Sequence, residues 1–213
     1  WAGDKLRMNP NFFADSSTWQ RPKYLYLGCA DSQVCPEDIM GQDVGDIFVH
    51  RNLGNMVVNG DMNLLAVLQY AVEHLQVVDI IVCGHYGCDG IKAASSVEKD
   101  MGAMEHWLRN ARDVQRKHHS TLQAIQDPEE RHKTLVELNV REQCFNLLCH
   151  PIVQNSQAQN GCPKVHGFVY DSSTGFLRDL EIPMEKDVAK YHDIYAVHSL
   201  REISDNYLSA TMI

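Results

Sequence analysis

The sequence contains no run of about 18 apolar residues, the shortest stretch that crosses a bilayer as a helix. Its most apolar segment, Val77 to Cys83, is interrupted by Asp79. A membrane-spanning helix is therefore excluded. Basic residues are also scarce, with 19 Lys and Arg against 28 Asp and Glu and a formal net charge of -9. That balance argues against a surface built for nucleic acid or for anionic lipid. A disulfide framework is missing as well. The seven cysteines (29, 35, 83, 88, 144, 149 and 162) are odd in number and irregularly spaced, and a chain of 213 residues buries enough core to stand without one. The expectation is a reducing compartment, either cytoplasm or an organelle interior. No internal repeat, low-complexity tract or linker breaks the chain.

What is present alternates between two periods. Tyr24 to Gly28, Asp46 to His50 and Val78 to Cys83 are short and rich in β-formers. The third is nearly all apolar, as a strand covered on both faces should be. Between the second and third, Leu64, Leu68, Ala71, Val72 and Leu75 recur at helical spacing over 63–75, with Asp61 placed as cap. This is a βαβ unit, which implies parallel strands with packed helices. Helices are predicted over 101–117 and 128–149, the latter opened by Asp127, Pro128, Glu129 and Glu130. Strands over 164–170 and 176–182 flank Asp171-Ser172-Ser173-Thr174-Gly175, a hairpin signal. The tail from Glu185 reads as helical. The fold class is thus α/β, a central mostly parallel sheet flanked by helices, with a C-terminal hairpin strand and helix. Residues 24–213 form one domain, preceded by an arm over 1–23.

Two segments carry the chemistry. Gly28-Cys29-Ala30-Asp31-Ser32-Gln33 follows the first strand, and His85-Tyr86-Gly87-Cys88 follows the third. In open α/β sheets, sites form at the carboxyl ends of strands, so the two segments converge. Two thiolates, an imidazole and a carboxylate suit zinc. Each piece alone is weak, since a free cysteine is usually a small buried hydrophobe. Their matched positions at strand ends strengthen the joint reading. His118-His119, on a polar helical stretch, reads as solvated; Cys35, Cys144, Cys149 and Cys162 have no ligand-like spacing, and most of them read as buried thiols.

Three segments resemble the β-class carbonic anhydrases: Leu27-Gly28-Cys29-Ala30-Asp31-Ser32, Ile47-Phe48-Val49-His50-Arg51-Asn52 and Cys83-Gly84-His85-Tyr86-Gly87-Cys88. The likeness continues through Glu137-Leu138-Asn139-Val140 and His166-Gly167-Phe168-Val169-Tyr170, and runs from about Phe12 to about Leu180. The resemblance implies Zn²⁺ held by Cys29, His85 and Cys88. It gives Asp31 either a hydrogen bond to the metal's water or the fourth ligand position, and it has Gln20 reach into a neighbouring subunit's site. The implied reaction is reversible hydration of CO₂ to bicarbonate by hydroxide that zinc generates near neutral pH, with Val34 and Val57 as apolar walls. A homodimer or homotetramer is implied, with the arm and its Trp1, Phe12, Phe13 and Trp19 docked on a partner subunit. Arg51 and Tyr70 match positions of a second bicarbonate pocket in one subgroup of the family. That subgroup has tryptophan where this chain has Tyr26, and core or interface packing of Tyr26 and Tyr70 is preferred.

The departures bear on activity. The family motif continues Cys-x-Asp-Ser-Arg, but here the last residue is Gln33. The arginine grips the aspartate through a charge-assisted fork. Glutamine carries no charge, so the hold on Asp31 is weakened by about 1–3 kcal/mol. Asp89 replaces a family glycine; turned inward it adds negative charge, turned outward it faces solvent or caps the next helix. The expectation is that Asp31 coordinates zinc and leaves a closed, sluggish site. Two alternatives to an active carbonate dehydratase stay open: an inactive zinc-binding structural or regulatory subunit, and a hydrolase for carbonyl sulfide.

Overall fold

The computed structural model describes residues 1–14, 21–96 and 101–197. Five strands form one sheet: β1 (Tyr24–Cys29), β2 (Ile47–Asn52), β3 (Asp79–His85), β4 (Lys164–Asp171) and β5 (Phe176–Asp179). Their order is β2-β1-β3-β4-β5, with the first four parallel and β5 antiparallel on β4. Both neighbours of β1 are reached by crossovers, which places β1 and β3 side by side in parallel, with Tyr24 opposite Asp79 and Gly28 opposite Cys83.

The observed strands run further toward their carboxyl ends than the apolar pattern predicts. Parallel pairing continues through Cys29↔Asn52 on one side and His85↔Tyr170 on the other. Cys29 and His85 are therefore the last residues of β1 and β3, held by backbone ladders rather than by loops. The hairpin forms as predicted, with the Asp171 carboxylate accepting from Ser173 N–H at 2.9 Å. β5 ends at Asp179, short of the predicted Ile182. There the Asp179 carboxylate takes the Glu181 N–H at 2.8 Å, and Glu181 turns to φ 44°, out of the strand region.

The helices are α1 (Ala2–Met8), α2 (Pro36–Met40), α3 (Met62–Gln69), α4 (Asp89–Ala94), α5 (Ala103–Lys117), α6 (His119–Ala124), α7 (Pro128–Leu148), α8 (Pro151–Asn160), α9 (Met184–Lys190) and α10 (His192–Tyr195). α3 starts at its predicted cap, where Asp61 accepts the Asn63 N–H at 3.0 Å, and it runs on as a π turn over Tyr70–His74. α7 is capped by Asp127, which accepts from Glu129 N–H at 3.1 Å, a bond of about 1 kcal/mol. Its buried stripe lies against β3 and β4. Contact is close at Gly84, where an added Cβ would sit 2.7 Å from Val140 Cγ2.

The main core joins Leu25, Leu27, Ile80 and Val82 of the sheet to Leu64, Leu68, Leu108, Val136 and Val140 of the helices. The opposite sheet face holds a smaller cluster of Tyr26, Ile47, Ile81 and Cys83, edged by Tyr24, Met40, Phe168, Tyr170 and Leu177. No described helix is long and apolar enough to cross a membrane. In the arm, α1 buries none of its residues. Trp1, Phe12 and Phe13 stack edge to face on one another at 5.2–6.2 Å, with Trp1 still 70% exposed. Trp19 and Gln20 lie outside the described residues, as does the tail beyond 197.

Candidate metal centre

Cys29 closes β1, His85 closes β3, and Cys88 is the residue on which α4 begins. The sheet register brings the first two together, and the tight Tyr86-Gly87 turn returns Cys88 to the same point. The two Sγ atoms and a ring nitrogen of His85 all lie within 4.8 Å of one another, and among the described residues they form the one such group of possible metal ligands. All three are buried, at 0%, 6% and 1% exposure.

The donors fit a soft divalent metal such as zinc. His85 Nε2 is buried and has no hydrogen-bond partner among the described residues, a costly state for an imidazole nitrogen unless a ligand occupies it. The sulfurs of Cys29 and Cys88 stand 3.6 Å apart and share a hydrogen bond. That bond pulls the Cys29 thiol's pKa down and pushes the Cys88 thiol's up, so one proton serves two sulfurs. Two backbone donors also aim at Cys29 Sγ: Gly54 N–H at 3.2 Å and Asp31 N–H at 3.4 Å. They stabilise a thiolate there.

Asp31, the fourth predicted ligand, stands outside this group. Its Oδ2 accepts the Asp89 N–H at 2.9 Å and lies 3.9 Å from His85 Nε2. Gln33 is exposed, with φ 51°, and among the described residues makes no hydrogen bond to Asp31. Asp89 is exposed in the first turn of α4, so its side chain adds no charge inside the site. Gln20 falls outside the described residues. Val57 is buried but lines a cavity of about 280 Å³ with Asn110, Gln143 and Asn146, none of them a ligand. Val34 is half-buried. Tyr26 is fully buried beneath Arg51, whose guanidinium lies 5.6 Å from its ring, whereas Tyr70 is half exposed against Phe48. His118 is half-buried and His119 exposed.

Several supporting residues stand outside the two segments that carry the candidate ligands. Arg51 reaches from β2 to the loop after Cys29, donating to Cys29 O at 2.8 Å, to Ser32 Oγ at 2.6 Å and to Val34 O. One side chain thus fixes the segment that carries Cys29 and Asp31. On the other side, Asn52 brackets the turn of residues 52–56 by bonds to both Met56 N and Met56 O. Asn139 donates to Gly54 O at 2.9 Å; Gln143 donates to Asn139 Oδ1 at 2.9 Å and accepts from Val57 N–H at 2.7 Å. Gly54 needs its φ of +80°, which an L side chain resists. The sequence did hold one signal: Asn139 and Gln143 interrupt the apolar stripe of α7 at i, i+4 while being 1% and 2% exposed. Buried amides of that kind are there to satisfy something.

The family model described as "Carbonic anhydrase" matches residues 24–177. A carbonic anhydrase of Emericella nidulans is 45% identical over 195 residues, spanning 92% of this chain and 85% of that protein. Among solved structures, a tetrameric β-carbonic anhydrase of Sordaria macrospora superposes with a TM-score of 0.81 at 38% identity, over 85% of this chain and 91% of the other. The Coccomyxa β-carbonic anhydrase, solved with acetazolamide, gives a TM-score of 0.84 at 35% identity, over 92% of each chain.

Proposed function

The chain belongs to the β-class carbonic anhydrases, and from that premise we propose that it is a zinc-dependent carbonate dehydratase, with Cys29, His85 and Cys88 as the protein ligands. The observation that carries this reading is the buried Cys-His-Cys group with an unpartnered imidazole nitrogen. A bound zinc would supply a Lewis acid that lowers the pKa of water to about 7, a figure established on carbonic anhydrase zinc itself.

The chain's own residues do the rest. Cys29 and Cys88 provide thiolate charge, and the N–H groups of Gly54 and Asp31 steady the Cys29 sulfur. Asp31 takes the role of hydrogen-bond acceptor beside the metal, not that of a fourth ligand. Its Oδ2 is already committed to the Asp89 N–H, a hold that stands in for the missing arginine. Its Oδ1 is left to orient water. Arg51 keeps the Asp31 loop from swinging inward. CO₂ is apolar and needs no hydrogen bond from its walls, a role left to Val34, since Val57 lines a different cavity. Gln33 contributes no charge, which lowers activity below that of a site with the full dyad. Gln20 of a second copy completes the site, and the arm over 1–23 packs on that copy in a homodimer or homotetramer. All seven cysteines are free thiols, which supports a reducing compartment.

The test is stopped-flow CO₂ hydration between about pH 7 and 9 on protein holding one zinc per chain. Rates well above background that rise with pH are expected. A background rate with zinc fully bound would overturn the enzymatic reading and favour a structural or regulatory role.

A further inference from the structure

The amide that joins Leu53 to Gly54 is engaged at both ends. Its N–H points at Cys29 Sγ from 3.2 Å, and its C=O accepts the indole N–H of Trp107 at 2.7 Å. An amide is planar and rigid, so the bond at the carbonyl fixes the direction in which the N–H points. It also polarises that N–H, since hydrogen bonds in series strengthen one another by roughly 10–30%. The chain indole–amide–sulfur therefore runs from α5, an element with no motif residue, to a ligand at the end of β1.

Among the described residues, nothing else holds this amide in the same way. Asn139 holds the next carbonyl, Gly54 O, and Asn52 holds Met56. The ordinary account of Trp107 is a half-buried core aromatic whose N–H has found a convenient acceptor. Its acceptor, however, is the carbonyl of one of the two peptides whose N–H groups bond Cys29 Sγ, the nearer of them at 3.2 Å.

We propose that Trp107 is a positioning residue of the metal centre, acting through the Leu53–Gly54 amide on the Cys29 thiolate. The proposal rests on Cys29 being a metal ligand. Outer partners of metal ligands typically contribute 10–100-fold in affinity, and an indirect one belongs at the low end. Without the indole N–H the amide is free to tilt, the sulfur loses donor strength from its surroundings, and its electrons become easier to remove.

The test compares the full chain with Trp107→Phe and with a chain carrying 3-benzothienylalanine at 107, which keeps the bicyclic shape and lacks the N–H. Two quantities are read: the zinc dissociation constant by chelator competition, and the energy of the sulfur-to-cobalt charge-transfer band of the Co²⁺-substituted protein. The expected result is zinc bound about tenfold more weakly and a band shifted to lower energy in both variants. Wild-type affinity and band position in the benzothienyl protein would overturn the proposal and leave Trp107 as packing alone. That protein decides the matter if Trp107→Phe fails to fold. A wild-type chain with no sulfur-to-cobalt band would instead remove the premise that Cys29 is a ligand, an outcome distinct from a variant that merely matches wild type.

Discussion

Asp31 shows how far single residues can be read. Its place in the motif is legible, and so is the lost charge at Gln33. The donor that actually meets its carboxylate is a backbone N–H, that of Asp89, and backbone donors leave no mark on a sequence. The same holds for Gly54 N–H at Cys29. A different residue-scale consequence follows from Cys83, buried at 1% exposure in the smaller cluster. Burial, opposed weakly by neighbouring hydrogen bonds, pushes its thiol from 9.0 up to about 11. The raised pKa means the thiol's contribution to stability is intact below about pH 9. Between pH 9 and about 11 the unfolded chain loses this proton while the folded one keeps it, so stability falls. The loss is about 2–3 kcal/mol over that window. In Cys83→Ala, urea unfolding from pH 8 to 11 should show a shallower alkaline decline than wild type. Equal slopes would mean Cys83 already ionises in the folded state.

At the scale of elements, what could be read depended on whether the buried face was apolar. α3 and α7 declare themselves through apolar spacing and Asp caps, and both caps form their bonds. α8 does not, because its inward face carries Gln154 and Gln157, satisfied by Tyr195 O at 3.0 Å and Pro163 O at 2.7 Å. Those carbonyls are distant in sequence or beyond a turn, so no local pattern announces the helix. α4 and α6 are six residues each, too short for periodicity to register. The contact of α7 with β3 has a sharper test. Gly84 precedes His85, and a methyl there would meet Val140 Cγ2 at 2.7 Å and Val136 Cγ1 at 3.3 Å. Gly84→Ala should lose about 1–3 kcal/mol and loosen metal binding, read by thermal unfolding and zinc competition. An unchanged melting midpoint would show that α7 gives way freely.

For the whole molecule, two apolar features are only partly covered by the described residues. One is the sheet face edged by Tyr24, Phe168 and Leu177; the other is the arm, whose rings touch one another yet leave Trp1 and Phe13 exposed. Exposed apolar surface of this kind commonly marks an interface. Light scattering should give a mass of two or four chains of 24.2 kDa; the mass of a single chain would refute the assembly and with it the role given to Gln20.

The sequence by itself determined the α/β class, the parallel order implied by a βαβ unit, and the identity of the two segments that converge, because periodicity and ligand chemistry are local properties. The tertiary structure decided that donor atoms of Cys29, His85 and Cys88 lie within 4.8 Å of one another while Asp31 faces the start of α4. It also decided that Arg51, Asn139 and Trp107, on three different elements, reach Cys29 O, Gly54 O and Leu53 O, the bonds behind the supporting roles proposed for them. Those roles rest on hydrogen bonds to backbone groups far away in the chain, and only the folded register brings such partners within 3 Å of each other.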